Sequence, residues 1–185
     1  MGLCVNRAVE CEAGGPDPQL SAELADSFES FYRREWDPMV RLAWSLTGQR
    51  MVAQEIAQDV MLVAFRNWSR ISTYESTHVW IRRVTLHRCT SRFRRASTEL
   101  RLLPRLARER IFASAPDEAL SQIWQAVGRL PVRQREVVAL RYLDDMTAAS
   151  IAEVLEIGED TVRTHLRRAH DRLATTLAAY AEEYP

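Results

Sequence analysis

The chain has 185 residues, 25 basic and 25 acidic side chains, a formal net charge of zero and 46% hydrophobic residues. That length suits one or two small domains, and the composition excludes a disordered or collagen-like chain. The longest apolar run, Val60 to Phe65, is too short to cross a membrane, and Glu10 and Glu12 stand where an export signal needs a basic start and an apolar core.

Cys4, Cys11 and Cys89 are odd in number and form no CxxC pair. That argues against a disulfide framework or a zinc site, and for a reducing cytoplasm. The zero net charge hides an uneven distribution. Residues 1–30 hold one Arg and six acids, residues 31–110 sixteen Arg and seven acids, residues 111–128 two acids, and residues 129–185 eight Arg and ten acids. An acidic leader therefore precedes a middle of net +9 and a nearly balanced end. Every basic residue is Arg, whose planar fork of donors suits phosphates and guanine edges. Coding bias accounts for the missing Lys but not for the clustering.

In chain order, residues 1–23 read as a disordered acidic tail containing Gly14, Gly15, Pro16 and Pro18. From about Leu24 a helical period begins, with Phe28, Phe31, Tyr32 and Trp36 at three- and four-residue spacing. Asp37-Pro38 predicts a break and restart. Met39, Leu42, Ala43 and Leu46 line the next helix, and Gly48 closes it. A helix over about 51–67 has Val52, Ile56, Val60 and Val63 as its inner stripe. Residues 68–76 read as a loop, and Ser76 or Thr77 caps a very basic helix to about Arg95. Residues 97–116, with Pro104 and Pro116, read as a flexible linker. Helices over about 117–128, 130–143, 147–155 and 160–180 complete the chain, with a tight turn at Glu156-Ile157-Gly158. No segment alternates with a two-residue period. The expected fold is all-α, with helical domains over 24–96 and 117–182.

Two constellations carry chemistry. The first is Thr147 to Leu173, two helices around a three-residue turn, which is helix-turn-helix spacing. Val162, Leu166, Ala169 and Leu173 share one face of its second helix. Arg163, Thr164, Arg167 and Arg168 fall on the other, where they can reach base edges in a major groove. The bland alternative is an amphipathic helix with a solvated Arg face. The second constellation is Trp68 to Arg95, where Trp68, Tyr74, Trp80 and Phe93 interleave with Arg70, Arg82, Arg83, Arg88, Arg92, Arg94 and Arg95. Aromatic stacking plus arginines along a backbone suits single-stranded or opened DNA. Trp80, beside Ile81 and Val84, reads more as core than as a base platform, and Tyr74 is the better exposed aromatic.

No metal or catalytic site is expected, nor any cofactor. His78, His87, His165 and His170 share no helical face with carboxylates or thiols, and His87-x-Cys89 cannot converge on one metal within a helix. Phosphate-binding glycine loops and nucleophile elbows are missing from the sequence. An enzyme is not expected.

The residues resemble a known family. Ala53-Gln54-Glu55-Ile56-Ala57-Gln58-Asp59-Val60-Met61-Leu62 is similar to the "AEDLVQDVFL" helix of bacterial RNA polymerase sigma factors of the sigma-70 family. Trp80-Ile81-Arg82-Arg83-Val84 with Arg94-Arg95 resembles the "WLYRI…RR" helix that follows it. Leu130-Pro131, Gln134-Arg135-Glu136-Val137-Val138 and Leu140-Arg141-Tyr142 resemble the start of the family's C-terminal domain. Ile151 to Leu155, Thr161-Val162-Arg163 and Arg168-Ala169 match its helix-turn-helix. The short, two-domain length resembles the extracytoplasmic-function (ECF) group.

That resemblance implies roles. Residues 24–96 would be sigma region 2 and residues 117–182 sigma region 4. Glu55, Gln58, Asp59 and Leu62 would bind the clamp helices of the polymerase β′ subunit, and region 4 would touch the β flap. Tyr74, Trp80, Arg82, Arg83, His87, Arg94 and Arg95 would recognise and open the minus-ten promoter element. Arg163, Thr164, Arg167 and Arg168 would read the minus-thirty-five element. The partners implied are core RNA polymerase, promoter DNA and an anti-sigma factor. Gln54, His87, Ser91, His165 and His170 depart from the residues common at those places. The expected function is a cytoplasmic sigma factor, without membrane insertion, that directs promoter-specific initiation. The alternative is a stand-alone helix-turn-helix regulator, which "EDTVRTHLRRA" also resembles; residues 51–95 discriminate, because a simple regulator does not need them.

Overall fold

The computed structural model describes residues 18–99 and 118–183, with side chains over 27–92 and 123–178. The acidic leader over 1–17 and most of the expected linker lie outside the described residues. Those described form only helices: α1 (Pro18–Thr47), α2 (Arg50–Arg66), α3 (Trp68–Ile71), α4 (Thr77–Glu99), α5 (Glu118–Arg129), α6 (Val132–Leu143), α7 (Ala148–Leu155) and α8 (Glu159–Glu183).

The expected break at Asp37-Pro38 does not occur, and α1 runs through Pro38 from Pro18, earlier than the expected start near Leu24. An internal proline costs about 3 kcal/mol. Phe31 before it, and Met39, Leu42, Ala43 and Leu46 after it, are all at most 3% exposed on one continuous face. Each large apolar side chain so buried contributes about 1.5–3 kcal/mol, and together they outweigh the proline. The helix ends where expected. Gly48 takes the left-handed conformation, φ 70°, and its N–H donates to the Trp44 carbonyl at 2.7 Å. Gly48→Ala is therefore expected to cost about 1–2 kcal/mol, the penalty of a Cβ in that region, read as a lower urea midpoint.

On α2 the inner face is rotated from the expected stripe. Ile56 and Val60 are buried, but Val52 and Val63 are half-buried, and Ala53, Ala57, Met61 and Ala64 share the core. Small side chains let α1 and α2 approach closely, so alanines take the contact face. The segment expected as a loop from Trp68 begins with the short α3. Trp68 is buried against Phe28 and Phe31, with ring centroids at 5.4 and 4.7 Å, and its indole N–H donates to Ser27 Oγ at 2.7 Å. A buried indole needs such a partner.

The two halves of the chain pack against one another. One buried apolar cluster includes Phe31, Leu42, Ile81 and Leu86 from α1 and α4, and Leu140, Ile151 and Val154 from α6 and α7. A smaller cluster of Val127, Leu130, Val138 and Ala169 holds α5, α6 and α8 together. Helix α7 is capped by Thr147, whose Oγ1 accepts from the Ser150 N–H at 3.1 Å. In the following turn the left-handed residue is Glu156, φ 55°, and the Ile157 N–H donates to the Ala152 carbonyl at 3.1 Å. Gly158 instead starts α8, its carbonyl accepting from the Thr161 and Val162 N–H groups.

Candidate nucleic-acid interface

Three surfaces present the residues singled out in the sequence. On α8, Val162 and Ala169 are buried and Leu166 and Leu173 half-buried. That anchoring turns Arg163, Arg167 and Arg168 outward, with Thr164 half-buried beside them, so all four share the expected face. Arg163 is tied to Glu159 and Asp160 one turn back. Arg167 and Arg168 are exposed fork donors free to approach an anion.

The second surface is the start of α4. Ser76 caps it, Oγ accepting from the Val79 N–H at 3.2 Å. Tyr74 and Trp80 are both half-buried and lean on each other, ring centroids 6.5 Å apart, so Tyr74 is less free than expected. His87 is exposed. Arg94 and Arg95 lie on the last turns of α4, but their side chains lie outside the described residues.

Arg82 requires a correction, because it is 1% exposed rather than on the surface. Its Nε and Nη2 donate to the two carboxylate oxygens of Asp144 at 2.8 and 3.0 Å, and its Nη1 donates to Glu35 Oε2 at 2.9 Å. A buried guanidinium must be paired, and two carboxylates from distant parts of the chain satisfy it. Burial alone would raise the Glu35 carboxyl. Hydrogen bonds from His78 and Arg34, with the charges of Arg82 and His78, outweigh burial and hold its pKa at about 2. Neither Glu35 nor Asp144 was legible as a partner, since they lie 47 and 62 residues from Arg82 and no helical period links them. Arg83 is half-exposed, but it also reaches the second half: it donates to the Glu153 carbonyl at 2.6 Å and pairs with Glu156 at 2.9 Å.

The third surface is the outer side of α2. Glu55, Gln58, Asp59 and Leu62 are all exposed, as the sequence places them. Met51 and Phe65, 71% and 59% exposed, extend the same strip and were missed. Their spacings from Leu62 of eleven and three residues fit the 3.6 period, which is the signal that could have found them. Glu55 pairs with Arg92 of α4 at 3.0 Å, so this strip borders the basic helix.

Cys89 is buried, and burial, with the charge of Glu136, pushes its thiol up to about 12, so it is unreactive. Among the described residues no group of three His, Cys, Asp or Glu could hold a metal, and no helix is long and apolar enough to cross a membrane.

The family model described as "Sigma-70 region 2" matches residues 31–99, and "Sigma-70, region 4" matches residues 120–173. ECF RNA polymerase sigma factor SigM of Mycobacterium tuberculosis is 28% identical over 176 residues, covering 89% of this chain and 88% of its own. RNA polymerase sigma-E factor of Streptomyces coelicolor is 27% identical over 158 residues, covering 82% and 86%. The fold is similar to that of CnrH, solved in complex with the cytosolic domain of CnrY, with a TM-score of 0.65, 21% identity, and coverage of 87% of this chain and 96% of that one. Two regions of one family, in order and together spanning most of the chain, carry the conclusion: the protein belongs to the sigma-70 family of RNA polymerase sigma factors, in its ECF group.

Proposed function

We propose that this chain directs promoter-specific transcription initiation. It binds core RNA polymerase, recognises the minus-thirty-five and minus-ten promoter elements and assists melting at the minus-ten element. The observation that carries the reading is the presence of sigma region 2 and region 4 in order on one chain, over residues 31–99 and 120–173. It acts in the cytoplasm, holds no catalytic site of its own, and lends its specificity to the polymerase.

The work divides between the two domains, over 24–96 and 117–182. The exposed α2 strip of Glu55, Gln58, Asp59 and Leu62 mixes charge with apolar area, as a protein-binding face does; it takes the β′ clamp helices, while region 4 meets the β flap. Arg163, Thr164, Arg167 and Arg168 read the minus-thirty-five element in the major groove. Tyr74, Trp80, Arg83, His87, Arg94 and Arg95 serve the minus-ten element, capturing unstacked bases and their phosphates. Two weak anchors on one chain raise each other's effective concentration at a promoter. An anti-sigma factor is the third partner; the solved chain of similar fold is itself seated with the cytosolic domain of CnrY.

Arg167→Ala is expected to lower discrimination between promoters by about 1–3 kcal/mol, the value of one bidentate arginine–guanine contact, with core binding unchanged. Equal activity of the variant on every promoter would remove Arg167 from the reading face. The reading as a whole is tested by size-exclusion chromatography with core polymerase. Co-elution is expected, and elution of the chain at its own volume would refute it.

A further inference from the structure

Helices α6 and α8 meet at Val138 and Ala169, which are 3% and 0% exposed in one apolar cluster. Tyr142 lies one turn beyond Val138, and His170 directly follows Ala169. Burial of the first two residues therefore places the second two side by side at the surface. Tyr142 Oη and His170 Nε2 are 2.6 Å apart, with ring centroids at 5.9 Å. Tyr142 is nonetheless 55% exposed, and His170 is exposed as well. The chain beyond Tyr142 is held in place by Arg141, whose Nη1 donates to the Met146 carbonyl at 2.9 Å. A phenol and a neutral imidazole carry one O–H and one N–H donor between them. Their mutual bond uses one of the two. Whichever group donates it, one donor is left over.

The place of the pair says what that donor meets. His170 continues the row of Arg163 and Arg167 along one flank of α8, seven and three residues further on. A helix about 10–12 Å across fills a major groove about 12 Å wide. Its leading face meets base edges, and its flanks meet the phosphates of the groove walls. We propose that Tyr142 and His170 form a phosphate-contact pair, whose remaining donor holds a backbone oxygen of one strand beside the minus-thirty-five element and fixes the angle at which α8 enters the groove. The inference rests on the functional reading above. The contact reads no base, so it adds equally to the affinity for every promoter. It needs no charge on either group, so it adds nothing to counterion release. Arg167 differs on both counts, as a cation set against base edges.

The test uses the full chain assembled with core polymerase, on promoter fragments found by run-off transcription. Binding is titrated over a range of salt, and the phosphates whose ethylation blocks binding are mapped. Tyr142→Phe combined with His170→Ala removes both donors and alters no buried side chain. The double variant is expected to bind every promoter about tenfold more weakly, the value of one hydrogen bond to a charged group. Its salt slope stays unchanged, and one phosphate beside the minus-thirty-five element no longer responds to ethylation. His170→Arg, which puts a permanent charge at the same place, should steepen the salt slope by about 0.9. Undiminished affinity overturns the contact. So does weaker binding with the ethylation pattern intact, which would make the pair a brace between α6 and α8, and so does a loss confined to some promoters. If the double variant does not fold, His170→Arg at its exposed position decides, and a slope equal to the native one overturns the contact. A native chain that yields no promoter fragment with core polymerase fails earlier, and overturns the functional reading together with the contact that rests on it.

Discussion

Asp59→Arg is expected to abolish co-elution with core polymerase while leaving the helical circular dichroism spectrum unchanged. Asp59 is exposed on α2, opposite the buried Ile56, Val60 and Ala64, so the substitution touches no core contact. Its cost in folding stability should stay within about 0.5 kcal/mol, as for other surface changes. At an interface the same change is severe. Juxtaposing like charges costs several kcal/mol, and each 1.4 kcal/mol is about a tenfold loss of affinity, so a fall of at least about a hundredfold is expected. Leu62→Asp, which removes exposed apolar area from the same strip, should act in the same direction. Undiminished co-elution of Asp59→Arg would place the polymerase contact elsewhere on the chain.

The second large effect is on stability. Arg82→Ala leaves Asp144 buried without its cation and Glu35 with only Arg34 and His78, and breaking a buried ion pair in this way costs about 3–5 kcal/mol. The position of Glu35 makes the effect dependent on pH. Its folded-state pKa, about 2, lies below the ordinary value of 4.5. The stabilisation it supplies is therefore fully present above about pH 4.5 and is lost as pH falls towards 2. A carboxyl moved that far contributes about 3 kcal/mol at neutral pH, shared among the hydrogen bonds of His78 and Arg34 and the charges of Arg82 and His78. In Arg82→Ala the Glu35 pKa moves up, because burial, the largest influence on it, then meets less opposition. Denaturant melts at pH 7 and pH 3 are expected to show a large loss for the variant at the higher pH and a smaller one at the lower. An equal loss at both would mean that Arg82 contributes nothing to holding Glu35 ionised.

The comparison of sequence with structure separates local from distant information. Helical spacing places α2, α4 and the pair α7–α8 close to where they form, because amphipathic period and capping residues such as Thr147 are local signals. The same spacing puts Arg163, Arg167 and Arg168 outside and Val162 and Ala169 inside. Pro38 misleads, because its cost is local while the burial that overrides it comes from α2, α4 and the rest of the core. Arg82 misleads for the same reason. By composition it belongs with the exposed arginines of α4, and only the arrival of Glu35 and Asp144 makes its burial tolerable. The packing of the two halves is likewise invisible in a chain whose middle reads as a linker.

The opening zero of net charge conceals a basic middle that would hold DNA without selectivity if it were free to do so. Part of that charge is neutralised within the fold, Arg82 by Glu35 and Asp144, Arg83 by Glu156 and Arg92 by Glu55. The zero net charge of the whole chain is therefore no argument against DNA binding.

Run-off transcription from genomic templates with purified core polymerase tests the central claim most directly. Addition of the native chain is expected to yield discrete transcripts from a small set of start sites, absent without it and lost with Asp59→Arg. Transcripts indistinguishable from those of core polymerase alone, on every template, would contradict the assignment of this chain as a promoter-directing sigma factor.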